Sequence, residues 1–352
     1  MSVPDQPAVE ALLRAVAERG GSDLLFAPGR PPTARVRGEL IVLDPAPLGP
    51  EETKALARAM LGPRWDDLVA RREIDFSFSF GEVARIRANI FFQRGTVAGA
   101  LRFVPYEIPS LESLGAPAIC AEVTERPHGL VLVTGPTGSG KSTTIAAMID
   151  RINRQRAVHI ITVEDPIEYV HRHRQAIVVQ REVGSDTLDF ANGLRAALRQ
   201  DPDVVVVGEM RDLETVAATL TMAETGHLVF ATLHTNDTAQ AIDRMIDVFP
   251  PGQQRQIRLQ LSQTLLVVLH QRLLPRADGD GRCAAFEIMV ATAAVRNLIN
   301  EGKTNQLRNV LTTGAMAGMR TLEADLRRLV EEGAIAPSVA AGATLRPDEL
   351  SA

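Results

Sequence analysis

Residues 129–143 of this chain read GLVLVTGPTGSGKST. The apolar run from Gly129 to Thr134 predicts a buried strand, and the run from Thr144 to Ile152 that follows predicts a helix. Between them, residues 135–142 have the spacing G-x-x-x-x-G-K-S of a phosphate-binding loop. Glycines let consecutive backbone N–H groups face one concavity, and the start of the next helix adds its positive end there. The stretch therefore predicts a nucleotide site on a strand, loop and helix unit.

The side chains of this loop indicate how it would contact a nucleotide and its metal ion. Lys141 would bring an ammonium group to the β- and γ-phosphates, and Ser142 would offer its hydroxyl to Mg²⁺. Mg²⁺ is therefore a predicted cofactor. The predicted binding residues are Gly135, Pro136, Thr137, Gly138, Ser139, Gly140, Lys141, Ser142 and Thr143.

Composition limits the class of protein. The chain has 352 residues, enough for two domains, and a 45% hydrophobic content that can form a large core. The net charge of −5 argues against a generally nucleic-acid-binding surface. Two widely separated cysteines, Cys120 and Cys283, argue against a disulfide framework. The polar N-terminus has no signal core, and no apolar run is long enough for a membrane span, so we expect a soluble, cytosolic protein.

The first hundred residues predict a small α+β domain with an antiparallel sheet. Apolar spacing is helical over 6–19, and Glu73–Phe80 alternates strictly between apolar and polar residues. The predicted helices are 6–19 and 51–61, and the predicted strands are 23–26, 34–39, 73–80, 84–92 and 96–104. This domain would cover residues 1–104, and the proline-rich stretch 105–127 would be a linker.

The second domain predicts an α/β fold with a mainly parallel sheet. Apolar strands alternate with helices from residue 128, and the runs are nearly continuous, as in strands covered on both faces. The predicted strands are 129–134, 158–163, 203–207 and 227–232, and the later predicted helices are 256–274, 293–301, 304–312 and 321–332. This domain would end near residue 335, and 336–352 would be a loose tail.

Polar residues follow several of these strands at their carboxyl ends. Glu164 follows the second strand, Glu209 the third and His234 the fourth. Because the carboxyl ends of parallel strands share one edge of the sheet, we expect these side chains near the phosphate loop. Glu209 would assist Ser142 in holding Mg²⁺.

For most of the other candidate residues, the sequence pattern fits more than one role. Glu164 would polarise the attacking water, although a turn cap or a pair with an arginine also fits its position. His234 would sense the γ-phosphate, or would serve as a local hydrogen-bonding residue. His227 starts the same strand, so it should lie at the opposite edge and act indirectly. Arginines of the first domain would stabilise transition-state charge, or some of them would form a solvated strand face. These arginines are Arg85, Arg87, Arg94 and Arg102.

The sequence resembles the secretion ATPases of the type II and type IV pilus class, and most closely the type IV pilus retraction ATPases. The matching stretches are GPTGSGKSTT (135–144), ITVEDPIEYVH (161–171), QREVGSDTLDFANGLRAALRQDPDVVVVGEMRDLET (180–215), GHLVFATLHTNDTAQAIDRMIDVFP (226–250) and AVRNLINEGKTNQL (294–307). Two departures from the family pattern are Asn300, in place of an arginine, and Leu25, in place of a histidine.

The resemblance implies a PAS-like first domain, a RecA-like second domain and a hexameric ring that hydrolyses ATP. In the family pattern, Glu164 is the aspartate-box acid, Glu209 the Walker B acid, and His227 and His234 the histidine-box residues. Arginines at positions matching Arg87, Arg94 and Arg102 approach the phosphates. The implied partners are further copies of the chain and an inner-membrane platform protein, which would put the protein at the cytoplasmic face of the membrane without insertion.

Three alternatives remain open at the level of sequence. An assembly or type II secretion ATPase would usually carry a longer N-terminal extension and a four-cysteine metal site, whereas 274–287 contains only Cys283. A nucleotide-binding regulator would bind ATP without sustained turnover. A nucleic-acid translocase is disfavoured by the acidic balance and the 4% aromatic content.

Overall fold

Two units divide the chain in the computed structural model, which describes residues 7–81, 83–279, 281–344 and 346–350. The first unit comprises Met1–Glu107 and Glu168–Val170, and the second comprises Ile108–Ile167 and His171–Ala352. Both combine helices with a sheet, as the sequence predicts for each half.

The first unit contains a six-stranded sheet in which every neighbouring pair of strands is antiparallel. Its strand order is β3-β2-β1-β6-β5-β4. The strands are β1 Asp23–Phe26, β2 Thr33–Val36, β3 Glu39–Val42, β4 Glu73–Phe80, β5 Ala84–Gln93 and β6 Thr96–Pro105, and the helices are α1 Pro7–Glu18, α2 Pro50–Leu61 and α3 Trp65–Arg71. This arrangement confirms the predicted antiparallel α+β domain.

Alternation along the strands separates a buried face of this sheet from a more polar one. On β5, Ile86 and Ile90 are fully buried, whereas Arg85 and Arg87 on the opposite face are half-buried. The buried face shares a core with α1, whose Leu13 is also fully buried. The polar face is therefore the one that carries the predicted arginines.

The predicted strand 34–39 is wrong, because it spans two strands and the turn between them. β2 ends at Val36 and β3 begins at Glu39, and both residues of the connecting turn have positive φ angles. Arg37 has a φ of 52° and Gly38 a φ of 90°. A single strand could not contain two consecutive residues in this left-handed region, so the chain reverses there.

The second unit contains a seven-stranded sheet that is parallel except at one edge. Its order is β13-β12-β7-β11-β10-β8-β9, and the antiparallel pair is β12 with β13. The strands are β7 Gly129–Thr134, β8 His159–Glu164, β9 Ile177–Glu182, β10 Val204–Val207, β11 Leu228–Leu233, β12 Leu265–Pro275 and β13 Arg282–Val290. The prediction of a mainly parallel sheet is confirmed.

Helices lie against this sheet, so the central strands are buried on both faces. Separate hydrophobic clusters occupy its two sides, and β7 contributes Leu130 and Leu132 to one and Val131 and Val133 to the other. The helices are α4 Ile119–Val123, α5 Lys141–Gln155, α6 Phe190–Ala197, α7 Leu213–Glu224, α8 Thr238–Asp247, α9 Pro251–Thr264, α10 Ala293–Glu301, α11 Leu307–Thr313, α12 Leu322–Glu331 and α13 Pro337–Gly342. Among the helices of the described residues, none has both the length and the apolarity needed to cross a bilayer.

The predicted helix 256–274 is wrong in its second half. Helix α9 ends at Thr264, and Leu265–Pro275 forms β12 between β7 and β13. An apolar run that is buried on all sides does not show whether it is a helix or a strand. The pairing of this run with β7 on one side and β13 on the other shows that it is a strand.

The sequence predicts a linker at 105–127 and a loose tail at 336–352, but most of the first segment and the second segment belong to the second unit. Within the predicted linker 105–127, residues 108–127 belong to the second unit, and Leu111, Cys120 and Val123 are buried in its core. The predicted tail 336–352 contains α13, and its buried Ala340 packs in a cluster with α12. Residues 345, 351 and 352 of that tail lie outside the described residues.

Candidate active site

The phosphate loop connects β7 to α5 and packs against β12, the strand beside β7 in the sheet. A side chain at Gly135 would place its Cβ atom 2.3 Å from the carbonyl oxygen of Gln271, and one at Gly140 would lie 2.8 Å from Gln271 Nε2. Gln271 Oε1 also accepts a hydrogen bond of 2.8 Å from Thr144 Oγ1 on α5. These glycines are therefore required by close packing as well as by their positive φ angles of 143° and 87°.

Lys141 is buried at the start of α5 and points back into its own loop. Its Nζ atom donates to the carbonyl oxygens of Gly135 at 2.9 Å and Pro136 at 3.0 Å. Only 7% of the residue is exposed. The ammonium group is thus held within the loop by neutral acceptors, which phosphate oxygens could replace with charge-assisted bonds.

The interior of the loop carries a buried hydroxyl. Ser139 is 2% exposed, and its Oγ atom finds no hydrogen-bond partner among the described residues. A buried hydroxyl without a partner is costly. An anion in the loop would supply this hydroxyl with an acceptor.

Glu209 follows β10 and is held by two cationic or potentially cationic groups. Arg211 Nη2 donates to Glu209 Oε2 at 2.6 Å, and His234 Nε2 lies 3.4 Å from Glu209 Oε1. The bond from Arg211 is the main reason that the pKa of Glu209 is lowered, and the charges of His234 and Lys141 act in the same direction. The structure therefore brings together three of the predicted site residues, Lys141, Glu209 and His234.

Glu164 ends β8 at the same edge of the sheet. Its Oε1 atom accepts hydrogen bonds from Thr162 Oγ1 at 2.6 Å and from Gln180 Nε2 at 3.1 Å. Gly208 makes this close packing possible, because an added Cβ atom there would lie 3.1 Å from the Cα atom of Glu164. Glu164 and Glu209 thus lie at the carboxyl ends of the paired strands β8 and β10.

The two predicted histidines lie at opposite ends of β11. His234 follows the carboxyl end, whereas His227 precedes the amino end, where its Nδ1 atom lies 2.9 Å from the carbonyl oxygen of Met222 and 3.2 Å from Thr225 Oγ1. His227 is therefore not brought together with the phosphate loop. Any contribution from it to hydrolysis has to be indirect, as its position in the sequence predicts.

The predicted arginines lie on the sheet of the first unit. Arg87 on β5 is directly opposite Arg102 on β6, which in turn is opposite Asp23 on β1. Arg102 Nε donates to Asp23 Oδ1 at 2.9 Å. Arg94 is exposed in the turn between β5 and β6, with a φ of 48°. Arg102 thus lies exposed on a strand face and pairs with Asp23, which is one of the two roles that the sequence leaves open for it.

Several site residues have no strong signal in the sequence. Arg211, Gln271 and Gln180 act through contacts that depend on strand pairing or on loop geometry. Arg272 donates to the carbonyl oxygen of Ala343 and helps to line a cavity of about 360 Å³ beside the loop. The other lining segments of that cavity are 136–139, 273–275 and parts of α13.

The donor set is suited to Mg²⁺. This ion prefers hard oxygen ligands and keeps most of its coordination for water and phosphate. The hydroxyl of Ser142, half-buried at the start of α5, and the carboxylate of Glu209 are such ligands. The low pKa of Glu209 keeps that carboxylate ionised, as ligation requires. Ser142 and Glu209 therefore fit the group that the sequence predicts.

A phosphate loop, two acids at neighbouring strand ends and a mainly parallel sheet define a P-loop ATPase. The family model described as "Type II/IV secretion system protein" matches residues 110–338. The chain belongs to this family of secretion ATPases.

Three relatives illustrate where the chain falls within the family. It is 46% identical to the type IV pilus retraction ATPase PilT of Pseudomonas aeruginosa over 328 residues, which cover 93% of this chain and 95% of the relative. It is 47% identical to the twitching motility protein of Neisseria gonorrhoeae over 310 residues, covering 88% and 83%. A crystal structure of the pilus retraction motor PilT with bound ADP superposes with a TM-score of 0.91 at 48% identity, covering 99% of both chains.

Proposed function

We propose that this chain is a Mg²⁺-dependent ATPase motor that drives the retraction of a type IV pilus. The observation that carries the proposal is the shared sheet edge, where the phosphate loop, Glu164, Glu209 and His234 lie at the carboxyl ends of neighbouring parallel strands. The full-length similarity to retraction ATPases supports the cellular role.

The residues at this edge divide the work of hydrolysis. Lys141 exchanges its two carbonyl acceptors for phosphate oxygens when ATP enters the loop. Glu164 accepts a hydrogen bond from the attacking water and so orients it, while His234 holds the carboxylate of Glu209. Ser142 and Glu209 would hold Mg²⁺, which when bound would supply positive charge to offset that of the phosphates.

The remaining predicted residues have supporting roles in this proposal. Arg87, Arg94 and Arg102 supply positive charge for the transition state, as the resemblance to secretion ATPases implies. His227 acts at a distance through β11. Glu209→Gln and Glu164→Gln substitutions address the acids directly, and individual Arg→Ala substitutions show which arginine affects turnover without affecting folding.

The proposed working form is a ring of six copies at the cytoplasmic face of the inner membrane, attached to a platform protein of the pilus machine. The support is the family resemblance, together with full-length coverage of the retraction ATPases. Molar mass by size-exclusion chromatography with light scattering tests the ring. A sixfold mass in the presence of ATP is expected, and a monomer at every nucleotide and protein concentration would contradict it.

A deletion strain tests retraction against assembly and secretion. Loss of a retraction motor leaves pili on the surface but abolishes twitching, whereas loss of an assembly motor removes the pili. We expect surface pili to persist, and twitching to return with the wild-type gene but not with E164Q. A strain without pili would assign the chain to assembly, and steady-state phosphate release near zero in the purified wild type would assign it to a regulator.

A further inference from the structure

The carboxylate of Glu164 is held on one oxygen by two residues of paired strands. Thr162 on β8 and Gln180 on β9 are directly opposite each other in the parallel register. Thr162 Oγ1 and Gln180 Nε2 both donate to Glu164 Oε1, at 2.6 and 3.1 Å. Two donors on the same oxygen restrict rotation of the carboxyl group.

The orientation of the Gln180 amide is itself determined by the backbone. Gln180 Oε1 accepts a hydrogen bond of 2.8 Å from the backbone N–H of His171. Because a backbone N–H can only donate, the oxygen end of the amide has to face His171. The NH₂ end is therefore directed to Glu164, where a carboxylate requires a donor.

The loop that carries His171 is fastened to the helix of the phosphate loop. Asn153 on α5 is fully buried, donates to the carbonyl oxygen of Arg172 at 2.7 Å and accepts from the backbone N–H of Arg174 at 3.1 Å. Helix α5 begins at Lys141. The loop that orients the Gln180 amide is thus held by Asn153 against α5, the helix that follows the phosphate loop.

We infer that Gln180 is a positioning residue for ATP hydrolysis, which sets the orientation of the Glu164 carboxylate relative to the phosphate loop. The inference rests on the proposed role of Glu164 in orienting water. Gln180 acts through Glu164 and not on the nucleotide. Its loss therefore lowers turnover and leaves nucleotide affinity intact.

The isosteric substitution Q180E provides the sharpest test. It retains the shape of the side chain and an acceptor for the N–H of His171, but it replaces the donor with a negative charge beside Glu164. We expect kcat to fall about 100-fold in Q180E and about tenfold in Q180A, and the dissociation constant of a fluorescent ATP analogue to stay within about twofold. Q200A, which alters an exposed glutamine after α6, is the matched control and should match the wild type.

A residue that only fills space would give the opposite order, with Q180E more active than Q180A. That order, wild-type kcat in Q180E, or a loss of affinity equal to the loss of kcat would overturn the inference. If Q180E does not fold, Q180M replaces it as an uncharged side chain of similar length, with an expected tenfold loss of kcat at unchanged affinity; unchanged kcat in folded Q180M would overturn the inference as well.

The substitution E164Q separates this inference from the proposed function. Normal turnover in E164Q would overturn both, since Gln180 has no other route to the reaction in this account. Slow turnover in E164Q with normal turnover in the Gln180 variants would leave the role of Glu164 standing and overturn the role of Gln180 alone.

Discussion

His234 Nε2 lies 3.4 Å from Glu209 Oε1, and Arg211 Nη2 lies 2.6 Å from the other oxygen of the same carboxylate. Glu209 and His234 follow the adjacent parallel strands β10 and β11, so the contact joins two strand ends at the edge that carries the phosphate loop. The carboxylate expected to assist in holding Mg²⁺ is therefore oriented by contacts on both of its oxygens before the ion arrives.

Replacing His234 tests whether this orientation matters for hydrolysis. We expect H234A to lower kcat at least tenfold, because Glu209 loses the contact that fixes Oε1, and to leave ATP affinity nearly unchanged. Steady-state phosphate release and fluorescent-nucleotide binding measure the two quantities. H128A, an exposed histidine before β7, is the matched control. Equal kcat in both variants would assign His234 to a purely local role.

The glycines of the phosphate loop should differ in their tolerance of alanine. G135A places a Cβ atom 2.3 Å from the carbonyl oxygen of Gln271, whereas G138A meets nothing within 4 Å and suffers only from its φ of 78°. We expect a loss of unfolding free energy of about 1 kcal/mol in G138A and more than about 3 kcal/mol in G135A.

Thermal unfolding of the purified variants measures this difference. G252A is the control, since Gly252 lies in the first turn of α9 with open space around it and an ordinary φ. Equal melting temperatures for G135A and G138A would show that the packing of Gln271 against the loop accommodates a methyl group at position 135.

Buried His270 should make the stability of the protein depend on pH. It is 1% exposed and lies opposite Thr134, and burial together with the positive charges of Arg272 and Lys141 lowers its pKa to about 4. Between pH 6.5 and 4 the unfolded chain binds a proton that the folded chain does not. The free energy of unfolding therefore falls as the pH falls through this window, by up to roughly 3 kcal/mol for this group.

H270Q removes that dependence. We expect the melting temperature of H270Q to fall less steeply than that of the wild type between pH 6.5 and 4.5, even if H270Q is less stable at neutral pH. His171, whose pKa burial also lowers to about 4, keeps part of the slope in both proteins. H128Q should retain the full slope, and an unchanged slope in H270Q would contradict the burial argument.

Asp325 should contribute strongly to the stability of the C-terminal helices. It is fully buried on α12, accepts from the backbone N–H of Phe286 at 2.8 Å and from Arg328 Nε at 2.9 Å, and is also paired with Arg320. D325A leaves a buried N–H without its acceptor, so we expect a loss of about 2–4 kcal/mol.

Chemical denaturation of D325A measures that loss, and D247A is the control. Asp247 is exposed in the last turn of α8, where a negative charge is slightly unfavourable, so its removal should not lower the free energy of unfolding. A loss below about 1 kcal/mol in D325A would show that water can replace Asp325 as the partner of these groups.

The parts of the site that could be predicted from sequence are those that local pattern determines. The strand before Gly135 and the helix from Lys141 follow from apolar runs around one loop motif. Parallel pairing then puts Glu164, Glu209 and His234 at a common edge, since alternating strands and helices leave few other topologies.

The rest depends on pairings between segments that are distant in the chain. The apolar run 265–269 fits a buried helix or a buried strand, so the sequence predicts a helix where the structure has β12. Without β12, the packing of Gln271 against the loop could not be foreseen. Likewise the contact between Gln180 and Glu164 requires the register of β8 with β9, which no local pattern specifies.

The proposed function requires ATP hydrolysis at the shared strand edge, with Glu209 essential to it. Phosphate release by E209Q, measured together with its affinity for ATP, tests this claim most directly. We predict that kcat falls at least about 100-fold while the protein still binds ATP with nearly wild-type affinity. Hydrolysis by E209Q at the wild-type rate would contradict the account.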